Sequence, residues 1–117
     1  MLVSDSSTLL VSDLCEKLRV LADVNRMKIM LLLRDGERCV CDIVDSLDLP
    51  QSLVSHHLSV MRSAGILRDR RSGRWIYYSV DRDGMIQLSG LLQGVLNPAE
   101  ISTAPAADCD DSACCGR

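Results

Sequence analysis

CVCDIVDSLDLPQSLVSHHLSVMRSAGILRDRRSGRWIYYSV, residues 39–80, decides the fold. Ile43, Val44 and Leu47 give one inward face to a short helix from about Cys39 to Leu47, and Asp48-Leu49-Pro50 breaks it. Pro50 suits the first turn of a second helix, which reaches Ser63 and stops at Ala64-Gly65, with Gly65 just past the cap. Along that helix Val54, Leu58 and Met61 recur at i, i+4 and i+7 and face the core. Ile66-Leu67-Arg68 and Trp75-Ile76-Tyr77-Tyr78-Ser79-Val80 read as strands joined through Arg71-Ser72-Gly73. Ile76, Tyr78 and Val80 then alternate inward, leaving Trp75, Tyr77 and Ser79 outward.

Working outward, Ser12 or Asp13 can cap a first helix carrying Leu14, Leu18, Leu21 and Ala22 on one face. Val24 to Arg34 forms a second, stopped by Asp35-Gly36. With Met27, Met30 and Leu31 on one stripe and Ile29, Leu32 and Leu33 around it, this helix is expected to be the most buried. Residues 82–96 return to helical spacing through Met85, Leu88, Leu91, Leu92 and Val95. The whole is mostly α with a β-hairpin wing, in the order α-α-α-α-β-β-α of a winged helix-turn-helix. Residues 1–97 are read as this domain and 98–117, with Pro98, Pro105 and small polar residues, as a disordered cysteine-containing tail. At 117 residues the chain is near the size where dimerisation adds useful burial, and the first and last helices carry the spare apolar surface for a homodimer. Aromatics make up only 3% and Phe is absent, so the core is aliphatic, which favours helices over a sandwich.

The net charge of −3 argues against a uniformly basic coat, but its distribution does not argue against nucleic acid. Between Gln51 and Tyr78 stand Arg62, Arg68, Arg70, Arg71 and Arg74 against the single acid Asp69, whereas residues 97–117 carry a net −3. A local basic patch on an acidic chain is a footprint for double-stranded DNA. Opposite the core stripe of the 51–63 helix lie Gln51, Ser52, Ser55, His56, Ser59 and Arg62, short polar groups and one arginine able to reach base edges. Arg70, Arg71 and Arg74 flank the hairpin turn and suit the phosphate backbone or a minor groove. His57, beside the core stripe, suits helix packing as well as it suits DNA contact, and Asp69 is expected to pair with a neighbouring arginine. Neither a membrane span nor a basic leader is evident, so a soluble, cytoplasmic protein is expected.

Six cysteines in such a chain point to metal or redox chemistry rather than a disulfide framework. Cys39 and Cys41 come first. Residues i and i+2 of a regular helix sit about 200° apart, so the two can share an ion only from a distorted first turn. A helix start favours thiolate, and thiolates select soft ions.

Glu37-Arg38-Cys39-Val40-Cys41-Asp42-Ile43, Ser55-His56-His57-Leu58, Arg71–Tyr78 and Leu21-Ala22-Asp23-Val24-Asn25-Arg26 together resemble the arsenical-resistance repressor family, ArsR/SmtB, over residues 13–96. The resemblance implies a homodimeric winged-helix repressor, not an enzyme, that leaves its operator on binding a metal or metalloid through Cys39 and Cys41. As(III) or Sb(III) is the implied effector, with Cd(II), Pb(II) or Zn(II) as alternatives. The arsenic version of the motif often carries a third cysteine shortly afterwards, where this chain has Val44. A third sulfur would come from Cys15, which is otherwise a buried thiol beside the Leu14–Leu18 face, or from Cys109, Cys114 and Cys115 in the tail. Those three suit a second site, a lid over Cys39 and Cys41, or a redox-labile appendage. The family's other site uses Asp and His on the last helix; Asp81 and Asp83 are present, but no histidine follows His57. A different class, a thiol redox or metal-trafficking protein, lacks the Cys-x-x-Cys within a βαβ pattern that would support it.

Overall fold

In the computed structural model, which describes residues 5–107, the chain runs α1 (Asp5–Leu21), α2 (Val24–Leu33), β1 (Arg38–Cys39), α3 (Val40–Leu47), α4 (Gln51–Ser63), β2 (Leu67–Ser72), β3 (Trp75–Val80) and α5 (Arg82–Leu96). A 3-10 turn at Pro98–Glu100 follows, and residues 101–107 have no regular structure. This is the expected winged helix-turn-helix with one addition: β1 joins the hairpin, giving an antiparallel sheet of order β1-β3-β2.

Ile29, Leu33, Ile43, Val54, Leu58, Met61, Ile66, Leu67 and Tyr78 form the core, so α2, α3, α4 and the wing base meet on one aliphatic centre. The α3–α4 break is made by Asp48 in the left-handed region, φ 54°, with its N–H bonded to the Val44 carbonyl. At the far end of α4, Ile66 N–H donates to Met61 O at 3.0 Å and Gly65 N–H to Arg62 O at 3.0 Å. That pair of bonds is a Schellman close, with Gly65 at φ 79° as the residue that takes the left-handed turn. A Cβ on Gly84 of α5 would strike the Gly65 carbonyl, so the last helix begins hard against this turn.

Four expectations are corrected. Helix α1 starts at Asp5, and Ser12 and Asp13 lie inside it; Asp13 instead pairs with Lys17 one turn on, at 3.3 Å. Helix α2 is not the most buried: only Ile29 and Leu33 are enclosed, while Val24, Met27 and Leu31 stay exposed. Its all-round apolarity therefore reports two surfaces, a core face and an outer one. Strand β2 extends to Ser72, and register pairs Ser72 with Trp75, so the turn is Gly73-Arg74. Gly73 at φ 61° takes the first turn position, as a type II′ hairpin demands. Finally, Cys15 is exposed rather than buried.

Candidate DNA-binding face and thiol site

Helix α4 presents two sharply different faces. Val54, His57, Leu58 and Met61 are buried, whereas Gln51, Ser52, Ser55, His56, Ser59 and Arg62 are all exposed. The six expected DNA-facing residues of this helix thus lie toward solvent, with the core stripe behind them. His57 is a packing residue, 6% exposed, and its Nδ1 accepts from Arg26 Nε at 3.0 Å. Arg26 also donates to the Val20 carbonyl at 3.1 Å, and its backbone N–H, with that of Asn25, is capped by Asp23. The Arg26 backbone N–H holds the Asp23 carboxyl below its usual range, against a smaller desolvation effect. The Asp23-Val24-Asn25-Arg26 stretch therefore fastens the α1–α2 turn to the back of α4.

The wing arginines divide into held and free. Arg70 forms a two-pronged bond to Glu37, Nε to Oε2 at 2.9 Å and Nη2 to Oε1 at 2.7 Å, and its guanidinium lies 4.6 Å from the Tyr77 ring centre. That bond depresses the Glu37 carboxyl pKa and raises that of Arg70. Arg68 reaches Asp81 at 3.3 Å and Asp83 at 3.8 Å, tying the wing base to the start of α5. Arg74 stacks near exposed Trp75, 5.3 Å from the ring, and the ion pairs among the described residues include neither Arg71 nor Asp69. The expected pairing of Asp69 is thus absent there.

Cys39 is the last residue of β1 and the N-cap of α3; Cys41 is the second residue of that helix. This placement resolves the angular problem, because Cys39 is extended, at φ −78° and ψ 157°, and not helical. Their Cα atoms are 5.4 Å apart and the sulfurs are paired as a disulfide. The Asp42 carboxylate joins them: one ligand atom from each of Cys39, Cys41 and Asp42 falls within 4.8 Å of the others. Nothing in the sequence pattern marks Asp42 as a ligand beyond its place directly after Cys41. Among the described residues Cys15 is not part of this group, and Cys109, Cys114 and Cys115 lie outside those residues. Once the disulfide is reduced to the dithiol, the two thiolates and the carboxylate can hold a divalent ion with further ligands added, or the sulfurs can make two of the three bonds of trivalent arsenic.

Beside this group a cavity of about 480 Å³ opens between α3, α4 and β3. Cys41 lines it, and so do Gln51 and Ser55 of α4 and Arg74 and Trp75 of the wing. Cys41, the exposed face of α4 and the wing turn therefore share one cavity. No described helix is long and apolar enough to cross a membrane.

An exposed polar recognition helix backed by a buried stripe, with a basic two-stranded wing beside it, defines a winged helix-turn-helix DNA-binding domain. Residues 23–69 match the family model "Bacterial regulatory protein, arsR family". The arsenic resistance transcriptional regulator ArsR1 of Pseudomonas putida is 39% identical over 76% of this chain and 70% of its own. A cadmium resistance regulatory protein, a CadC homolog of Staphylococcus aureus, is 35% identical over 65% of this chain and 64% of its own. The solved homodimeric winged helix-turn-helix DNA-binding domain of a possible ArsR-family regulator from Mycobacterium bovis superposes with a TM-score of 0.66 at 28% identity, covering 81% of this chain and 88% of that one. The chain belongs to the arsR family of bacterial regulatory proteins, transcriptional regulators and not enzymes.

Proposed function

We propose that the protein is a cytoplasmic, homodimeric repressor that holds operator DNA through α4 and the wing and releases it when As(III) or Sb(III) bonds to Cys39 and Cys41. The observation that carries this reading is the shared cavity wall, where Cys41 stands among Gln51, Ser55, Arg74 and Trp75. Two paths lead from the sulfurs to DNA. Cys41 is on α3, which packs against α4. Cys39 pairs with Tyr77 across β1 and β3, and Glu37 on the same segment grips Arg70, so the cysteine strand is part of the wing sheet. Effector binding and DNA release are then two sides of one coupling free energy, typically about 1–3 kcal/mol.

The homodimer is supported by exposed Leu9, Leu10 and Val11 on α1 and Ile86, Val95 and Leu96 on α5, helices that pack together in the chain. Leu88 is buried and Met85 partly buried in the chain's own packing, so neither belongs to that exposed surface. Of the expected tail, residues 98–117, the described part carries one 3-10 turn at Pro98–Glu100 and no other regular structure, and residues 108–117 lie outside the described residues.

A second effector class, Cd(II), Pb(II) or Zn(II), is favoured by one observation, the Asp42 oxygen beside the two sulfurs. A gel shift on operator DNA at several salt concentrations, with arsenite, cadmium and zinc in parallel, tests both. Release by arsenite at the lowest dose supports the metalloid reading. Release only by cadmium or zinc replaces it, and no salt-dependent DNA binding at all overturns the repressor.

A further inference from the structure

We infer that a second ligand site, independent of the cysteines, lies between the outer face of α2 and the start of α5, and that it takes a small amphiphilic anion, a medium-chain carboxylate. A cavity of about 590 Å³ opens there. Its wall is apolar, built from Met27, Met30 and Leu31 of α2, Val80 at the end of β3 and Met85 of α5. Three of the chain's five methionines thus line one space. Unbranched thioether side chains re-form around a flexible aliphatic chain, which is why methionine is frequent on surfaces that accept varied apolar partners. Met27 and Leu31 stay exposed in the folded chain, so the wall is open to an incoming molecule. The volume falls within the range of small-molecule sites, roughly 300–1,000 Å³.

The polar part of the lining fixes the sign of the ligand. Arg34, at the end of α2, and Arg82, the first residue of α5, border the cavity together with Ser79, and no acid lines it among the described residues. Arg68 and Arg70 are held by carboxylates, whereas Arg34 and Arg82 enter neither an ion pair nor a side-chain hydrogen bond among the described residues. Asp81 and Asp83, which flank Arg82 in sequence, are engaged by Arg68. Two guanidiniums beside an apolar cavity match a carboxylate, which accepts paired N–H bonds while its chain lies on the methionines. The cavity shares no lining residue with the one beside Cys41. It is nonetheless joined to the recognition helix. Gly84, between Arg82 and Met85, packs so close to the Gly65 carbonyl that a Cβ would strike it, and Asp81 N–H donates to Ile66 O at 2.9 Å. The start of α5 is thereby fastened to the turn that ends α4, and a chain wedged between α2 and α5 bears on that turn.

The full chain, reduced with a phosphine and isotope-labelled at the methionine methyls, is titrated with decanoate, decanol and decyltrimethylammonium. Decanoate is expected to shift the methyl signals of Met27, Met30 and Met85 and to leave that of Met61, enclosed in the core, in place. Affinity falls about fourfold for each methylene removed from decanoate toward hexanoate, the factor set by one buried CH2. Decanol and decyltrimethylammonium bind about tenfold or more weakly, because the bonds between charged groups are lost. Arg34→Gln and Arg82→Gln, both at exposed positions, each weaken decanoate by about tenfold and leave decanol unchanged. Met27→Gln weakens both. Decanoate binds the Cys39→Ser, Cys41→Ser double variant as it binds the unaltered chain, and it lowers affinity for a duplex selected from random DNA by about fivefold or more. Equal binding of the three amphiphiles, or a Met61 shift that matches the others, is adsorption or unfolding by a detergent and overturns the site. A change of oligomeric state that tracks decanoate makes this face an interface between copies and overturns it as well, as does binding that disappears with the two cysteines. Unchanged DNA affinity with decanoate bound overturns the link to α4. Arsenite release, measured without decanoate, is independent of all these outcomes.

Discussion

The base and the tip of the wing carry the same residue type to opposite ends. At the base Arg68 and Arg70 are spent on the protein itself, gripping Asp81, Asp83 and Glu37. At the tip Arg71 makes no ion pair among the described residues and Arg74 rests near exposed Trp75. Arg70 and Arg71 are neighbours in sequence yet lie on opposite faces of β2, because side chains alternate along a strand. The tip is suited to grip phosphate; the base joins the wing to the cysteine strand. An arginine count measures the patch and says nothing of this division.

Breaking the base at its source has the largest expected effect. Cys39→Ser or Cys41→Ser should leave DNA affinity intact and abolish release by arsenite, a loss of the whole coupling, about 5–150-fold in dose-dependent affinity. Neither sulfur belongs to the exposed α4 face. A gel shift in which the double variant still releases DNA normally would remove the site assignment.

Next come two positions on the exposed face of α4, of which Ser55 also borders the cavity beside Cys41. Ser55→Ala or His56→Ala should cut discrimination between operator and random duplex by about 1–3 kcal/mol for each well-made bond to a base edge that is removed, with little change in affinity for random DNA. Equal weakening on both duplexes would mean that these side chains touch phosphate instead.

Arg71→Ala and Arg74→Ala should weaken specific and random binding alike and flatten the plot of log affinity against log salt by roughly 0.9 for each phosphate no longer neutralised. Arg70→Ala is the sharpening control. Because Glu37 and Tyr77 hold Arg70, its removal should shift the salt slope less than removal of Arg71, and should raise the arsenite dose for release a few-fold, on the order of the 0.5–2 kcal/mol by which residues along a coupling route act. A change of a full unit of slope in Arg70→Ala would erase the distinction between base and tip.

The smallest effect is on acid stability. The Arg70 bond lowers the Glu37 pKa below its usual 4.5, so the stabilisation from this group is present above that value and lost as pH falls through the lower folded one. Glu37→Gln should therefore show a shallower loss of stability on the acid side of pH 4.5, measured by thermal or urea unfolding. An unchanged acid limb would mean that the pair contributes nothing in solution, as exposed pairs often do.

Most of the fold is legible in the sequence because its signals are local. Pro50, Gly65 and the 3.6-residue spacing of Val54, Leu58 and Met61 bound α4 wherever it packs, and residues 82–96 announce α5 in the same way. The polar face of α4 follows from the buried one. Less legible is the outer face of α2, since an apolar side chain does not record whether its neighbour is the core or another surface. The start of α1 is ambiguous because Ser12 and Asp13 are good caps that also sit without strain inside an exposed helix.

By itself the sequence determined the order of the five helices and the hairpin, the polar face of α4 and the cysteine pair, all consequences of spacing within a few residues, but not β1. Tertiary structure decided what those residues share. Cys39 escapes the helix because β1 pairs with β3, Arg70 is turned to Glu37 thirty-three positions away, and Val44 faces the same cavity as Trp75. Each of these joins residues distant along the chain, and the register and packing that bring them together exist only once the sheet and helices close on one core.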